Sequence, residues 1–425
     1  MSWKLLCTHP WRPPLDFAAD LAAHDMALLY SGRQEAQTGQ TSYLAVEPAF
    51  QASGTKWTDL PPIDETCGAL PDWIGYLGYG MRSEPERGKA APIHLPDFWL
   101  TRYQRLFRFN HDELTIEEFG RYHAEKPAAV TAAAPVHASV EIAHVVSNMD
   151  RARYERAVHD TVRAIEAGDF YQANITRKFY GSFKKVPNSL ALFASLCSAS
   201  PAPYSAYLRH GTTAILSASP ECFLHISGDG NVISRPIKGS IRRGTSEAED
   251  AALKKALAAS AKNLAENLMI VDLMRHDLAQ VSKVGSVEVA EQSGLYSYAT
   301  IHHLVSTVRA QKLPEKSAYD VVEACFPPGS MTGAPKRAAV QWCHAQENDE
   351  RGVYSGAIGW FGAGGRCDLS VVIRTLLVEG NQFEFQVGGG IVAESTPEDE
   401  WRETLTKARA IAKVLGIAEE TLASL

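Results

Sequence analysis

Glu266, Glu400 and Glu403 are the three carboxylates whose setting could do chemistry. Glu400 and Glu403 are three residues apart, so they share one face of any helix they occupy. Glu266 stands early in the apolar run 264–281, where an unpaired carboxylate is costly. Carboxylates on facing elements are what a hard, oxygen-seeking Mg²⁺ needs, with water or a substrate oxygen completing its octahedron. The alternative is structural: acidic residues favour the first turn of a helix, and Glu266 has Lys262 one turn behind it.

Glu221 and Lys238 form a second pair. Between them lies Gly228-Asp229-Gly230-Asn231, a two-residue hairpin signal centred on Asp229-Gly230. In that register paired residue numbers sum to about 459, and Glu221 lies opposite Lys238 at a position where side chains come closest. Such a pair can serve as acid and nucleophile, or as a cross-strand salt bridge. Gly388-Gly389-Gly390 precedes the acidic pair and can aim backbone N–H groups at an anion. The segment 329–336 (GSMTGAPK) lacks the ending of a P-loop. His303 and Arg374 are polar residues inside apolar, strand-like runs, where a satisfied structural role is the ordinary one.

The elements that must position these groups are legible in outline. Residues 150–168 carry apolar residues at helical spacing and end at a glycine. Residues 213–217, 222–226, 232–234, 371–377 and 383–387 read as strands. The run 264–281 is apolar on most faces and reads as a buried helix. Thr396-Pro397 opens a last helix, with threonine as cap and proline at the first helical position, which stops near Gly416. Strands and helices do not alternate regularly, so the expected class is α+β with large antiparallel sheets. An Ala/Pro-rich stretch at 126–146 reads as a linker between an N-terminal lobe, 1–125, and a second unit, 147–425.

A chain of 425 residues exceeds what one core usually fills. Its net charge of −7 argues against a nucleic-acid or anionic-membrane surface. Seven scattered cysteines without a CxxC pair suit a reducing compartment, and the first residues lack the apolar stretch of a signal peptide, so the cytoplasm is expected. No apolar run reaches the length of a membrane span.

Ten ordered motifs between 147 and 418 resemble those of the chorismate-utilising enzymes, which include the anthranilate, aminodeoxychorismate, isochorismate and salicylate synthases. They are 167–176 (AGDFYQANIT), 217–221 (SASPE), 235–240 (RPIKGS), 265–275 (AENLMIVDLMR), 303–306 (HLVS), 329–336 (GSMTGAPK), 351–359 (RGVYSGAIG), 372–375 (VIRT), 388–392 (GGGIV) and 400–404 (EWRET). The resemblance implies the family's fold: two large antiparallel sheets packed together, with helices outside. Isochorismate and salicylate synthases carry a water-activating lysine where this chain has Gln172. Anthranilate synthases usually carry alanine where it has Lys238, the feature of the aminodeoxychorismate synthases.

By that resemblance Lys238 is the nucleophile in an amination of chorismate at C4, Glu221 the general acid, and His303 a group that orients the ring edge. Glu266, Glu400 and Glu403 would hold Mg²⁺. Tyr354, Arg374, Gly388 and Gly389 would hold the enolpyruvyl carboxylate, with Thr332 and Lys336 in a substrate-proximal loop. Ser31 falls in a segment that resembles the lining of the tryptophan pocket of anthranilate synthases; a strand-end turn is the other reading. The family pattern is acidic where this chain has Asn263, which implies a less negative metal site. No glutaminase motif is visible, so ammonia from glutamine would require a separate amidotransferase chain. The rivals are an anthranilate synthase large subunit and a non-catalytic chorismate-binding homologue.

Overall fold

Ala214, Leu216, Leu376 and Val378 face one apolar core, while Ile215 and Leu377 between them face another. Strands covered on both sides in this way must lie inside a layered molecule. The computed structural model describes residues 2–21, 25–32, 40–82, 92–124, 140–298, 301–347 and 349–425. In chain order its first elements are β1 (Lys4–His9), α1 (Pro14–Asp20), β2 (Met26–Tyr30), β3 (Thr41–Gly54), β4 (Trp73–Leu77), β5 (Phe98–Asn110), β6 (Thr115–Gly120) and β7 (Ile142–Ser147). Then come α2 (Arg151–Glu166), β8 (Gln172–Phe183), α3 (Ser189–Ala199), β9 (Tyr204–His210), β10 (Thr213–Ser219), β11 (Cys222–Ile226), β12 (Asn231–Arg235) and β13 (Ile237–Arg242). They are followed by α4 (Glu247–Ala258), α5 (Ala261–Ala279), β14 (Glu288–Ser297), β15 (Ile301–Gln311), α6 (Ala318–Cys325), β16 (Gly333–Ala334) and α7 (Lys336–Glu347). The last are β17 (Ala357–Gly362), β18 (Arg366–Val371), β19 (Thr375–Glu379), β20 (Gln382–Ile391), α8 (Pro397–Leu415) and α9 (Glu419–Ser424).

The class is α+β and the pairing antiparallel, as expected. The two sheets are arms of one hydrogen-bonded network. One arm runs β7-β8-β20-β19-β10-β9-β2-β3-β5, and the other β4-β17-β18-β11-β12-β15-β14. β5 joins them. One of its edges pairs β3 along its whole length; the other pairs β4 at Phe98–Thr101 and β6 at Arg105–Asn110. Between the arms lie Tyr76, Ala206, Ile215, Ile358 and Leu377. The outer face of the first arm is covered by α1, α3, α8 and α9, and that of the second by α5 and α6.

Several local expectations change. The run 371–377 is not one strand, because the chain breaks at Arg374 (φ 51°) between β18 and β19. Only one stripe of α5 is buried, including Glu266, Ile270, Met274 and Asp277, while Leu268 is exposed. The hairpin loop has three residues, not two. Ser227 N–H donates to the Asn231 carbonyl at 3.0 Å, Gly230 N–H to the Ser227 carbonyl at 2.9 Å, and Gly230 takes φ 81°. Asp229 selects this loop by accepting from the Ser227 hydroxyl and from Asn231 N–H. Pairs therefore sum to 458 at Ile226 and Val232, and to 457 at Cys222 and Arg235. Neither Glu221 nor Lys238 belongs to that ladder, since β13 leaves it at Pro236 and pairs with β15 instead. Most of the expected linker, through 139, lies outside the described residues, and its end at 142–146 is part of β7. The segments on its two sides share the sheet: β2 pairs with β9 and β4 with β17.

Candidate active site

Pro220 and Pro236 interrupt two neighbouring strands, and the residues just past them turn towards each other. Ile237 and Ser330 stand close enough to the Glu221 carboxyl to pull its pKa down, although the Ser330 hydroxyl itself is buried without a hydrogen-bond partner. Lys238 Nζ donates to the Ser330 carbonyl at 3.2 Å. Glu221 and Lys238 are thus near enough to influence each other's charge through the breaks. They do not form the directly opposed pair expected from the ladder, and no ion pair within 4.0 Å joins them. Burial lifts the Glu221 pKa to about 7, against the pull of Ser330 and the Lys238 charge. Burial lowers that of Lys238, opposed by Glu266 and Glu221.

Glycine at 390 leaves the lysine room. A Cβ there would lie 2.4 Å from Gln172 Nε2 and 3.0 Å from Lys238 Nζ. Gln172 is buried, and neither end of its amide finds a hydrogen-bond partner. Ser330 was missed in the sequence because a serine in a glycine-rich loop carries no signal of its own.

Glu266 and Glu400 come together around a lysine, and Glu403 lies one turn along α8 from Glu400 with a lysine of its own. Lys262 Nζ is 3.1 Å from Glu400 Oε1 and 4.0 Å from Glu266 Oε1, so the expected one-turn partner of Glu266 also binds Glu400. Ser395 donates to Glu400 Oε1 at 2.7 Å, while Glu400 Oε2 is buried without a partner. Burial raises the pKa of Glu266 and, with help from Glu403, that of Glu400. Glu403 is lowered by Lys407, whose Nζ stands 2.6 Å from it. Lys407 also donates to the Gly388 carbonyl at 2.7 Å. It escaped the sequence reading although it sits one turn beyond Glu403, the spacing of a helical ion pair. A Cβ at Gly389 would lie 2.7 Å from Glu400 Oε2, so the glycine leaves the carboxylates open. Carboxylate oxygens only, one of them orphaned, are the donor chemistry a small hard dication such as Mg²⁺ takes, although the three groups stand farther than 4.8 Å apart as a set and Lys262 bridges two of them. Asn263 turns its amide to the Ser260 hydroxyl at 2.9 Å.

His303 is buried on β15 opposite Ser240, whose Oγ is 2.5 Å from Nδ1; its Nε2 has no partner. Burial and the Arg374 charge push its pKa well down, so the ring is neutral. Arg374 bonds Ser200 Oγ at 3.3 Å. Tyr354 is buried, its hydroxyl pushed up to about 12 by burial. Gly388 and Gly389 pair with Thr176 and Ile175 of β8. Two expected loop residues are occupied elsewhere. Thr332 is fully buried, with its hydroxyl on the Pro328 and Gly329 carbonyls at 3.4 and 3.3 Å. Lys336 donates to Asp277 at 2.7 Å and to the Cys325 carbonyl at 2.6 Å, about three turns along α5 from Glu266. A buried Asp277 needs that cation, which explains why Lys336 is drawn away from the carboxylates. Ser31 lies apart from these groups, lining a cavity of about 350 Å³ with Tyr204, Arg235 and Asp368, and its hydroxyl donates to the Pro203 carbonyl at 3.2 Å.

Comparison with known proteins agrees with this arrangement. The family model described as chorismate binding enzyme matches residues 19–413. An aminodeoxychorismate synthase of Streptomyces griseus is 38% identical over 369 residues, 81% of this chain and 50% of that protein. Aminodeoxychorismate synthase component 1 of Salmonella typhimurium is 33% identical over 402 residues, covering 92% of this chain and 88% of that one. The chain spans about half the length of the first curated relatives it matches. The crystal structure of anthranilate synthase component I from Streptococcus pneumoniae superposes with a TM-score of 0.74 at 25% identity, over 89% of this chain and 93% of that one. With a family model matched over residues 19–413 and a relative 33% identical over most of both chains, this chain belongs to the chorismate binding enzyme family.

Proposed function

We propose that the chain aminates chorismate at C4, giving 4-amino-4-deoxychorismate, the precursor of 4-aminobenzoate, through a covalent intermediate on Lys238. The observation that carries this reading is a half-buried lysine biased towards its neutral form in the neighbourhood of a buried carboxyl whose pKa is about 7. Neutral Lys238 attacks C2 as the C4 hydroxyl departs with the Glu221 proton, forming a C2–N bond and water. Ammonia then attacks C4 and the C2–N bond breaks, returning its electron pair to the lysine. The proton shed by the new ammonium restores Glu221, so the net change is hydroxyl for amine with release of water. Arg374 and Tyr354 hold the enolpyruvyl carboxylate, an arginine being suited to bidentate carboxylate binding. Mg²⁺ held by Glu266, Glu400 and Glu403 would supply the charge that anchors the ring carboxylate.

Ammonia is assigned to a separate glutamine amidotransferase. The sequence shows no glutaminase motif with a nucleophilic cysteine and its histidine–carboxylate partners downstream. Mass spectrometry of the product from chorismate, Mg²⁺ and an ammonium salt tests the reading. The expected product retains the pyruvate unit; anthranilate with released pyruvate would identify ortho amination and overturn it. With chorismate and no ammonia, peptide mapping should find the adduct on Lys238, and an adduct on another lysine would remove the nucleophile assignment.

A further inference from the structure

Cys7 and His9 stand two residues apart on β1 and face Glu118 on β6, on the outer side of the first arm. Cys7 Sγ lies 3.4 Å from His9 Nε2 and 3.4 Å from Glu118 Oε2, and His9 Nε2 is 2.6 Å from the same oxygen. Among the described residues this is the one group in which three His, Cys, Asp or Glu ligand atoms lie within 4.8 Å of one another. The register creates it. Lys4 and Leu5 pair with Gly120 and Phe119, and a bulge then sets Cys7, rather than Leu6, opposite Glu118. Unbroken pairing would put Cys7 and Glu118 on opposite faces of the sheet.

The surroundings hold the three groups in place. Phe17 and Phe107 pack on the His9 ring at 5.6 and 5.8 Å between centroids. Glu118 is fully buried, and its other oxygen binds Arg105, which also pairs with Glu47 at 3.1 Å. A hydrogen-bonded partner behind a ligating carboxylate is the usual support of a metal site. Cys7 and His9 are half-buried, so solvent can reach the remaining coordination position.

We propose that Cys7, His9 and Glu118 bind a dication of the zinc class, at a site distinct from the carboxylate cluster. A sulfur, nitrogen and oxygen donor set suits Zn²⁺ and is poor for Mg²⁺. Bonds of about 2.3 Å to sulfur and about 2.0–2.1 Å to nitrogen or oxygen, in a tetrahedron, require donor spacings of about 3.3–3.6 Å. Two of the three spacings, at 3.4 Å, already meet that requirement. The third opens when the dication replaces the His9–Glu118 hydrogen bond. A thiolate and the Glu118 carboxylate neutralise the ion, leaving Arg105 with Glu47, so no unpaired charge is created.

The test uses the full chain stripped with chelator and returned to excess Mg²⁺, which keeps the carboxylate cluster occupied. Zn²⁺ is then titrated with elemental analysis, and Co²⁺ with absorption spectroscopy. One equivalent of Zn²⁺ should bind and be lost in Cys7→Ser, and Co²⁺ should give a thiolate charge-transfer band. The other six cysteines are buried, so Zn²⁺ should also suppress the one thiol that reacts in the native chain. Absence of the Co²⁺ band, a measurement that needs no variant, would overturn the site. Equal Zn²⁺ binding by a folded Cys7→Ser chain would do the same and leave the triad as a hydrogen-bonded strand pair.

Discussion

Glu221 carries a carboxyl that burial lifts from 4.5 to about 7. A raised folded-state value means that the folded chain holds the proton more tightly than the unfolded one. The contribution of Glu221 to stability is therefore full below about pH 4.5 and is lost as pH rises through about 7. The shift corresponds to roughly 3 kcal/mol. Glu221→Gln, which does not ionise, should gain thermal stability relative to the unaltered chain between pH 5 and pH 8, read by melting at each pH. A difference in melting temperature that does not change with pH would mean that Glu221 is not buried as described. Under the proposed chemistry the pH profile of kcat/KM should also show a limb near 7 that Glu221→Gln lacks. At this scale the sequence was informative about identity and poor about contact. Glu221, Lys238 and Glu266 could be named because their motifs are distinctive. Ser330, whose carbonyl accepts from Lys238, is an ordinary residue made important only by the loop that carries it.

Helix α8 shows what local rules deliver. Thr396 accepts from Asp399 N–H at 3.3 Å and Pro397 follows, so the start read from the sequence is the start observed, and Glu400 and Glu403 project together. The hairpin shows where local rules stop. A side-chain bond from Ser227 to Asp229 decided between a two- and a three-residue loop, and one residue of slip undid the predicted register. Glu221 and Lys238 still come within electrostatic reach of each other because two prolines end their strands at neighbouring points, a long-range coincidence that spacing cannot encode. On β20, Gly389→Ala should fold normally but crowd Glu400 Oε2, which a Cβ would approach to 2.7 Å. The expected result is a Mg²⁺ requirement raised about tenfold or more, measured as activity against metal concentration. An unchanged Mg²⁺ curve would place the metal elsewhere.

For the whole molecule, the division into an N-terminal lobe and a catalytic unit is less informative than the sheet. β2 lies between β3 and β9, and β4 between β5 and β17, so the first 124 residues supply strands whose edges the remainder needs. The family match likewise runs through both, from 19 to 413. Residues 140–425 expressed alone would expose the edges of β9 and β17 and the apolar faces of Ile215, Ile358 and Leu377. That fragment should aggregate, and co-expression with 1–124 should restore a soluble complex. A monomeric, cooperatively melting fragment would contradict the shared core. Composition could indicate a chain too large for one core, but which strands cross between its parts is fixed by packing at long range.

Arg374 sits at φ 51°, a backbone region open to glycine and uncomfortable for arginine, with its side chain half-buried and its pKa lowered by desolvation. Both conditions cost folding free energy, and both place a cation beside His303. A library selected only for thermal tolerance would therefore drift towards glycine or asparagine here, trading the proposed substrate anchor for a relaxed backbone. Stability and usefulness pull this position in opposite directions, so an engineer seeking a hardier variant should hold residue 374 fixed and search elsewhere.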